Sequence, residues 1–320
     1  MRKNLNTEHI EGRVYEHELA IKAVSNTASK NFGKEFIAGT LDIATDEEGL
    51  NVVQVHFTFV TETTSKGNKN STYTALKKII DEGKCWLADG KDAATKVKID
   101  TALALNDFFT QDDTHISVKQ NEGGFVTIIN ELCAENERNT FMTDILITDV
   151  KHIDANPEKN IAADYVSVRG AVFNFKNDIL PVEFVVKNPA GMKYFEDLDA
   201  APSNPIYTKV WGRIVSESIE VQRTEESAFG EASVSTSKHN VKEWVITGTA
   251  KVPYDFGDEQ VMTVDEVTKA MQDREVMLAE RKKQSQEYRA SKAASASSGA
   301  VPPTVTVANT GGFNFLYMRA

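Results

Sequence analysis

Residues Pro205-Ile-Tyr-Thr-Lys-Val-Trp-Gly-Arg-Ile-Val215 read as one strand with two unlike faces. Successive side chains of a strand point to opposite sides, so the odd and even positions separate. Ile206, Thr208, Val210, Gly212 and Ile214 make a face that suits a core. Tyr207, Lys209, Trp211 and Arg213 make the other. A core does not select Lys and Arg, and open solvent does not ask for Tyr and Trp. Interleaved rings and cations are what a single-stranded nucleic acid needs, flat faces for bases and charges for phosphates.

The same test applied outward finds two more such strands. Over 165–175, Val166, Val168, Gly170 and Val172 form the apolar face, and Tyr165, Arg169, Phe173 and Phe175 lie opposite. Near the start, Ile10, Gly12 and Val14 point inward, leaving Arg13, Tyr15 and His17 outside. The alternative on each strand is that a loop covers the rings while the cations snorkel to water. The loop Ser25–Lys34 adds Lys30, Phe32 and Lys34, residue types that suit clamping a nucleic acid and equally suit plain solubility. On 51–60, Val53, Val55, Phe57 and Phe59 alternate with polar residues and are expected in the core.

Around these stretches the chain is strand-rich. Val, Ile, Thr and Phe with Gly/Asn/Asp punctuation predict strands at 10–21, 35–44, 51–62, 96–105, 124–130 and 141–153, then at 164–175, 181–187, 205–217 and 241–252. One short helix is expected over 71–82, capped by Ser71 or Thr72 and stopped by Gly83. The polar, Pro-containing stretch 154–160 is expected to separate two domains, 1–155 and 160–255. Ile10-Glu-Gly-Arg-Val-Tyr15 and Val168-Arg-Gly-Ala-Val-Phe173 share a pattern, which two copies of one small β-domain would explain and chance recurrence would also produce. Thr263 and Glu266 form a capping box that opens a helix over 262–291. From 292 to 320 an Ala/Ser/Pro linker leads to an apolar tip.

Composition narrows the function classes. The chain has 320 residues and a net charge of −11, which excludes a uniformly basic coat but leaves room for a local cationic groove. There is no apolar run long enough to span a membrane and no secretory h-region at the start, so a cytoplasmic protein is expected. The two cysteines, Cys85 and Cys133, are isolated in sequence and lack a His at metal-ligand spacing. No P-loop, dinucleotide fingerprint, zinc-protease motif or nucleophile elbow is present. The nearest thing to a metal cluster is Asp112-Asp113 beside His115, and neither a metal nor a cofactor is expected. An acidic all-β chain of this kind reads as a non-enzymatic binder or a structural protein.

Small antiparallel domains with a helix after the third strand look like OB-folds. Two strand groups, a helix, a linker and a distinct tip resemble the single-stranded DNA-binding proteins of tailed phages and prophages. The residues that carry this are Ile10–Tyr15, Val168–Phe173 and Tyr207–Arg213. The resemblance implies a mainly β protein of two OB-like barrels with a C-terminal helix and flexible tail. It implies single-stranded DNA as partner, a role in replication or recombination, and homo-oligomers as an option. The expected contacts are Arg13, Tyr15, Lys30, Phe32, Lys34, Arg169, Phe173, Tyr207, Lys209, Trp211 and Arg213. Bacterial relatives recruit replication proteins through an acidic tip. Here Phe313, Phe315 and Leu316 make an apolar tip in its place and are the expected partner contacts. A virion structural or assembly protein is the rival reading.

Overall fold

A computed structural model describes residues 4–156, 161–225, 233–258 and 261–298, with the backbone alone over 217–225, 233–241 and 293–298. The alternating stretches form the strands β1 (Asn6–His17), β2 (Ala20–Ala23), β3 (Glu35–Ala44), β4 (Val52–Thr61), β5 (Lys96–Phe109) and β6 (His115–Ile128). They continue as β7 (Asn139–Ile153), β8 (Tyr165–Phe173), β9 (Ile179–Val186), β10 (Ile206–Glu225) and β11 (Ser233–Thr249). Helices α1 (Ser71–Glu82), α2 (Trp86–Asp89), α3 (Pro189–Glu196) and α4 (Val264–Ser298), with a 3-10 turn at Glu135–Glu137, complete the elements of the described residues. The protein is mainly β with a C-terminal helix.

The pairings close two rings. In the first, β1 pairs β3, β3 pairs β4, β4 runs parallel to β6, β6 pairs β5, and β5 returns to β1. In the second, β7 pairs β8, β8 pairs β9, β9 runs parallel to β11, β11 pairs β10, and β10 returns to β7. Each ring has the same strand order and the same single parallel closure. Each carries a helix, α1 or α3, between its third and fourth strands. These are OB-like barrels. They share a sheet because their first strands pair antiparallel, from Asn6↔Thr143 to Ile10↔Asn139.

This topology moves the expected boundary. β7 was assigned to the first domain, yet the second ring cannot close without it. The connection between barrels is therefore 129–138, and the polar stretch around 154–160 lies between the first two strands of barrel two. The residues at 157–160 lie outside the described ones. The expected repeat also shifts, because Ile10–Tyr15 lies on a first strand and Val168–Phe173 on a second. Gly170 matches Gly39 instead. Both sit on the second strand of their ring, where an added Cβ would come within 2.2 Å of a backbone carbonyl, of Leu146 and Glu18 respectively. Only glycine permits that approach.

The core follows strand parity. Ile10, Val14, Ile37, Leu41, Val53, Val55 and Phe57 are buried in barrel one, and Val166, Val168, Val172, Phe184 and Val210 in barrel two. Phe59, expected in the core, is half-buried against Phe36, with ring centroids 4.6 Å apart. The cap of α1 is Asn70, one residue before the expected Ser71, and its side chain accepts from the Thr72 N–H at 3.1 Å. Asn188 caps α3 in the same way, followed by Pro189 in the first turn.

Helix α4 opens as its capping box predicts. Glu266 N–H donates to Thr263 Oγ1 at 3.3 Å, and Thr263 N–H donates back to Glu266 Oε2 at 2.8 Å. It runs to Ser298, past the expected start of the linker. Its first turns bury Val267 and Ala270 on barrel two. Farther along it reaches barrel one: Arg274 donates to Asp107 at 2.8 Å, Arg281 to the Asp107 carbonyl at 3.1 Å, and Arg289 to the Thr110 carbonyl at 2.6 Å. The expected tip residues Phe313, Phe315 and Leu316 lie outside the described residues.

Candidate nucleic-acid interface

Because the first strands of the barrels pair, their outer faces form one surface. Cross-strand neighbours line up in a row: Arg213 on β10, Thr140 on β7, His9 on β1, Asp100 on β5 and Phe125 on β6. Beside it, Trp211 faces Met142, and Met142 faces Thr7. Four strand spacings of about 4.8 Å carry this surface roughly 19 Å from one barrel to the other. These side chains line a trough of about 720 Å³.

The trough presents large apolar groups to solvent. Phe125 is 72% exposed, Met142 40% and Trp211 37%. One face of the Trp211 indole rests on Gly248, where an added Cβ would sit 2.4 Å from Nε1. Arg213 stands beside it and donates to the carbonyls of Asn136 at 3.1 Å and Glu135 at 3.4 Å. Lys209 and Lys98 occupy the next outward positions on β10 and β5. The floor is less charged than its composition suggests. Burial pushes the Glu8 carboxyl up to about 8, and the Trp244 indole donates to it at 2.8 Å. Away from the trough, burial lowers Lys119 to about 8, with its ammonium 4.9 Å above the Trp244 ring.

The expected site residues do not share one face. Trp211 and Arg213 meet in the trough, with Lys209 half-buried at its side. Tyr207 and Phe173, expected to face a nucleic acid, are buried instead. They are 1% and 0% exposed, with centroids 6.2 Å apart, in a second core beside Tyr254, Phe256, Val261 and Met262. The segment after β11 and the start of α4 cover them, so neither ring offers a face to a base. Tyr207 instead donates its hydroxyl to Asn4 at 3.0 Å.

Arg13 and Tyr15 are also elsewhere. Arg13 donates to Glu47 at 3.1 Å with its side chain 13% exposed, and Tyr15 packs against Trp86 at 6.1 Å. Glu47 gathers Lys91 and Arg138 as well, and these cations hold its carboxyl down at about 2. Arg169 lies between Glu183 and Asp149, at 3.4 and 3.8 Å. Lys30, Phe32 and Lys34 are exposed together on the loop between β2 and β3. Asp112, Asp113 and His115 do not converge, since His115 bonds Asp107 at 2.9 Å while Gln286 takes Asp113 at 2.6 Å.

Sequence reading missed Phe125, Met142 and His9. Phe125 follows Gly123-Gly124 in a stretch read as an ordinary strand, and only its alternation with buried Val126 marked it as outward. Nothing local marked Met142, because its exposure depends on the pairing of β7 with β1.

No curated protein matches the sequence. Among solved structures, a deletion mutant of the single-stranded DNA binding protein from Thermus aquaticus is similar, at 12% identity and a TM-score of 0.46. The match covers 81% of this chain and 98% of that one. A likeness of that size carries no weight for function. Among the described residues no helix is long and apolar enough to cross a membrane. The family model described as YorF matches residues 4–284, and the chain belongs to the YorF family.

Proposed function

We propose that this protein binds single-stranded DNA along the trough, without catalysis, in replication or recombination in the cytoplasm. The observation that carries the reading is the exposed set Trp211, Met142 and Phe125, laid across both barrels with Arg213 among them. A soluble protein rarely leaves such a patch open without use. Rings of this kind stack on bases irrespective of sequence, and Arg213, Lys209 and Lys98 supply phosphate contacts at the edges. The exposed loop with Lys30, Phe32 and Lys34 is a second contact of the same chemistry. The OB-like fold is a frequent host of oligonucleotide binding.

The test is fluorescence anisotropy of labelled oligo-dT at several salt concentrations. Saturable binding is expected, with log K falling against log salt at a slope of roughly −0.7 per phosphate neutralised. Trp211→Ala should weaken it. Equal affinity for duplex, or binding indifferent to salt and to Trp211, sinks the proposal and leaves an assembly role as the better account.

A further inference from the structure

Three metal-ligating side chains from two distant parts of the sequence meet where the barrels join. His9 and Glu11 stand two residues apart on β1, and Cys133 lies in the 129–138 connection. One ligand atom from each lies within 4.8 Å of the other two. His9 Nε2 and Glu11 Oε2 are 3.5 Å apart. Tetrahedral zinc, with bonds of about 2.0–2.3 Å, holds its ligand atoms roughly 3.3–3.7 Å from each other. The observed triangle needs only a small contraction to reach that geometry.

The surroundings fit a built site. His9 Nδ1 lies 2.9 Å from Asp100 Oδ1, which makes Nδ1 the N–H and turns the Nε2 lone pair toward Glu11. A carboxylate behind the imidazole is the usual outer partner of a metal-bound His. The Glu11 side chain is 7% exposed, and its other oxygen accepts from the Cys133 N–H. The connection is fixed on both sides of the thiol. Glu11 N–H donates to the Arg138 carbonyl at 2.6 Å, and Arg138 Nε donates to the Cys133 carbonyl at 2.9 Å. Arg138 is itself held by Glu47 at 2.7 Å.

We propose that His9, Glu11 and Cys133 bind one zinc ion, with Asp100 orienting His9 and a water in the fourth position. The mixed nitrogen, oxygen and sulfur donor set selects zinc over magnesium or calcium, which prefer oxygen alone. Binding releases the thiol proton. The ion ties β1 to the inter-barrel connection and offsets the acids Glu11 and Asp100 beside the trough. His9 and Asp100 also line the trough, and zinc retention is read without DNA, so the two readings are tested apart. A second group, His152, Asp154 and Asp164, is exposed throughout and provides the control.

The test uses the full chain. Zinc retained after desalting is measured by plasma mass spectrometry, and cobalt(II) is substituted to read the thiolate-to-cobalt charge-transfer band. One equivalent and a clear band are expected. Cys133→Ser should abolish the band and the retained zinc, while Cys85→Ser and His152→Ala should keep both. Asp100→Asn should weaken affinity about 10–100-fold, as outer partners do. Zinc not retained by the unaltered chain, or retained equally by Cys133→Ser and His9→Ala, overturns the proposal. Should Cys133→Ser fail to fold by circular dichroism, the unaltered chain decides alone, and a cobalt complex without the thiolate band overturns it.

Discussion

Tyr207 and Trp211 stand four residues apart on the same outward side of β10 and have opposite fates. Tyr207 is buried under Tyr254, Phe256 and the start of α4, while Trp211 opens onto the trough. Parity along a strand says which side a residue takes. What lies over that side is a tertiary fact, supplied here by a segment some fifty positions later. One strand face therefore holds a core at one end and a candidate binding surface at the other.

That contrast breaks most sharply at Tyr207. Tyr207→Ala empties a buried site and should lower unfolding free energy by about 3–5 kcal/mol in denaturant titrations. Tyr207→Phe, losing only the hydroxyl bond to Asn4, should cost about 1 kcal/mol. A stable Tyr207→Ala would place both ends of β10 in the same class. At the open end, Trp211→Ala should reduce oligo-dT affinity by about 1–3 kcal/mol. Its melting transition should shift by no more than about 1 kcal/mol of stability. Phe125→Ala should act in the same sense by about 1 kcal/mol, because the trough needs both barrels. Normal binding by that variant would confine the surface to barrel two.

Two acids sharpen the comparison through pH. Glu8 lies beneath the trough with its carboxyl raised from 4.5 to about 8. The folded chain holds that proton more tightly, so the contribution is whole below pH 4.5 and is lost as pH rises through 8. Thermal melts should show stability declining over that window, and Glu8→Gln should flatten the decline. Glu47, held by Lys91, Arg138 and Arg13, is lowered from 4.5 to about 2. Its contribution is present above pH 4.5 and lost as pH falls toward 2. The effect is smaller, since Glu47 is 37% exposed and solvent screens it. Glu47→Gln should remove that acid-side slope and leave the alkaline one.

Much of the architecture was legible. Alternation marked most strands, Gly83 ended α1, and Thr263 with Glu266 opened α4. The trough was half legible, through Trp211 and Arg213. Tyr207 and Phe173 misled because rings mixed with cations look alike whether a loop covers them or not. The boundary misled because a polar Pro-containing stretch suits a loop within a barrel as well as a linker between two. Helix α3 carried a start signal, Asn188-Pro189, in a segment too short for helical periodicity to show. His9 and Cys133 lie 124 positions apart, and no spacing rule reaches that far.

The first strand works for both barrels. Residues 8–17 close the first ring through β5 and β3, while residues 6–10 pair with β7 of the second. On an emerging chain these two jobs fall due at different times. The first ring has all its strands once residue 128 has been made, so barrel one can close while barrel two is still being synthesised. The edge at 6–10 must then wait for 139–143, and for Asp144 to accept the Leu5 N–H at 2.8 Å. A contact of such long sequence separation forms late and slowly. The seam between the barrels is therefore expected to form only after barrel one has closed, and a nascent first barrel would carry an unpaired strand edge in the meantime.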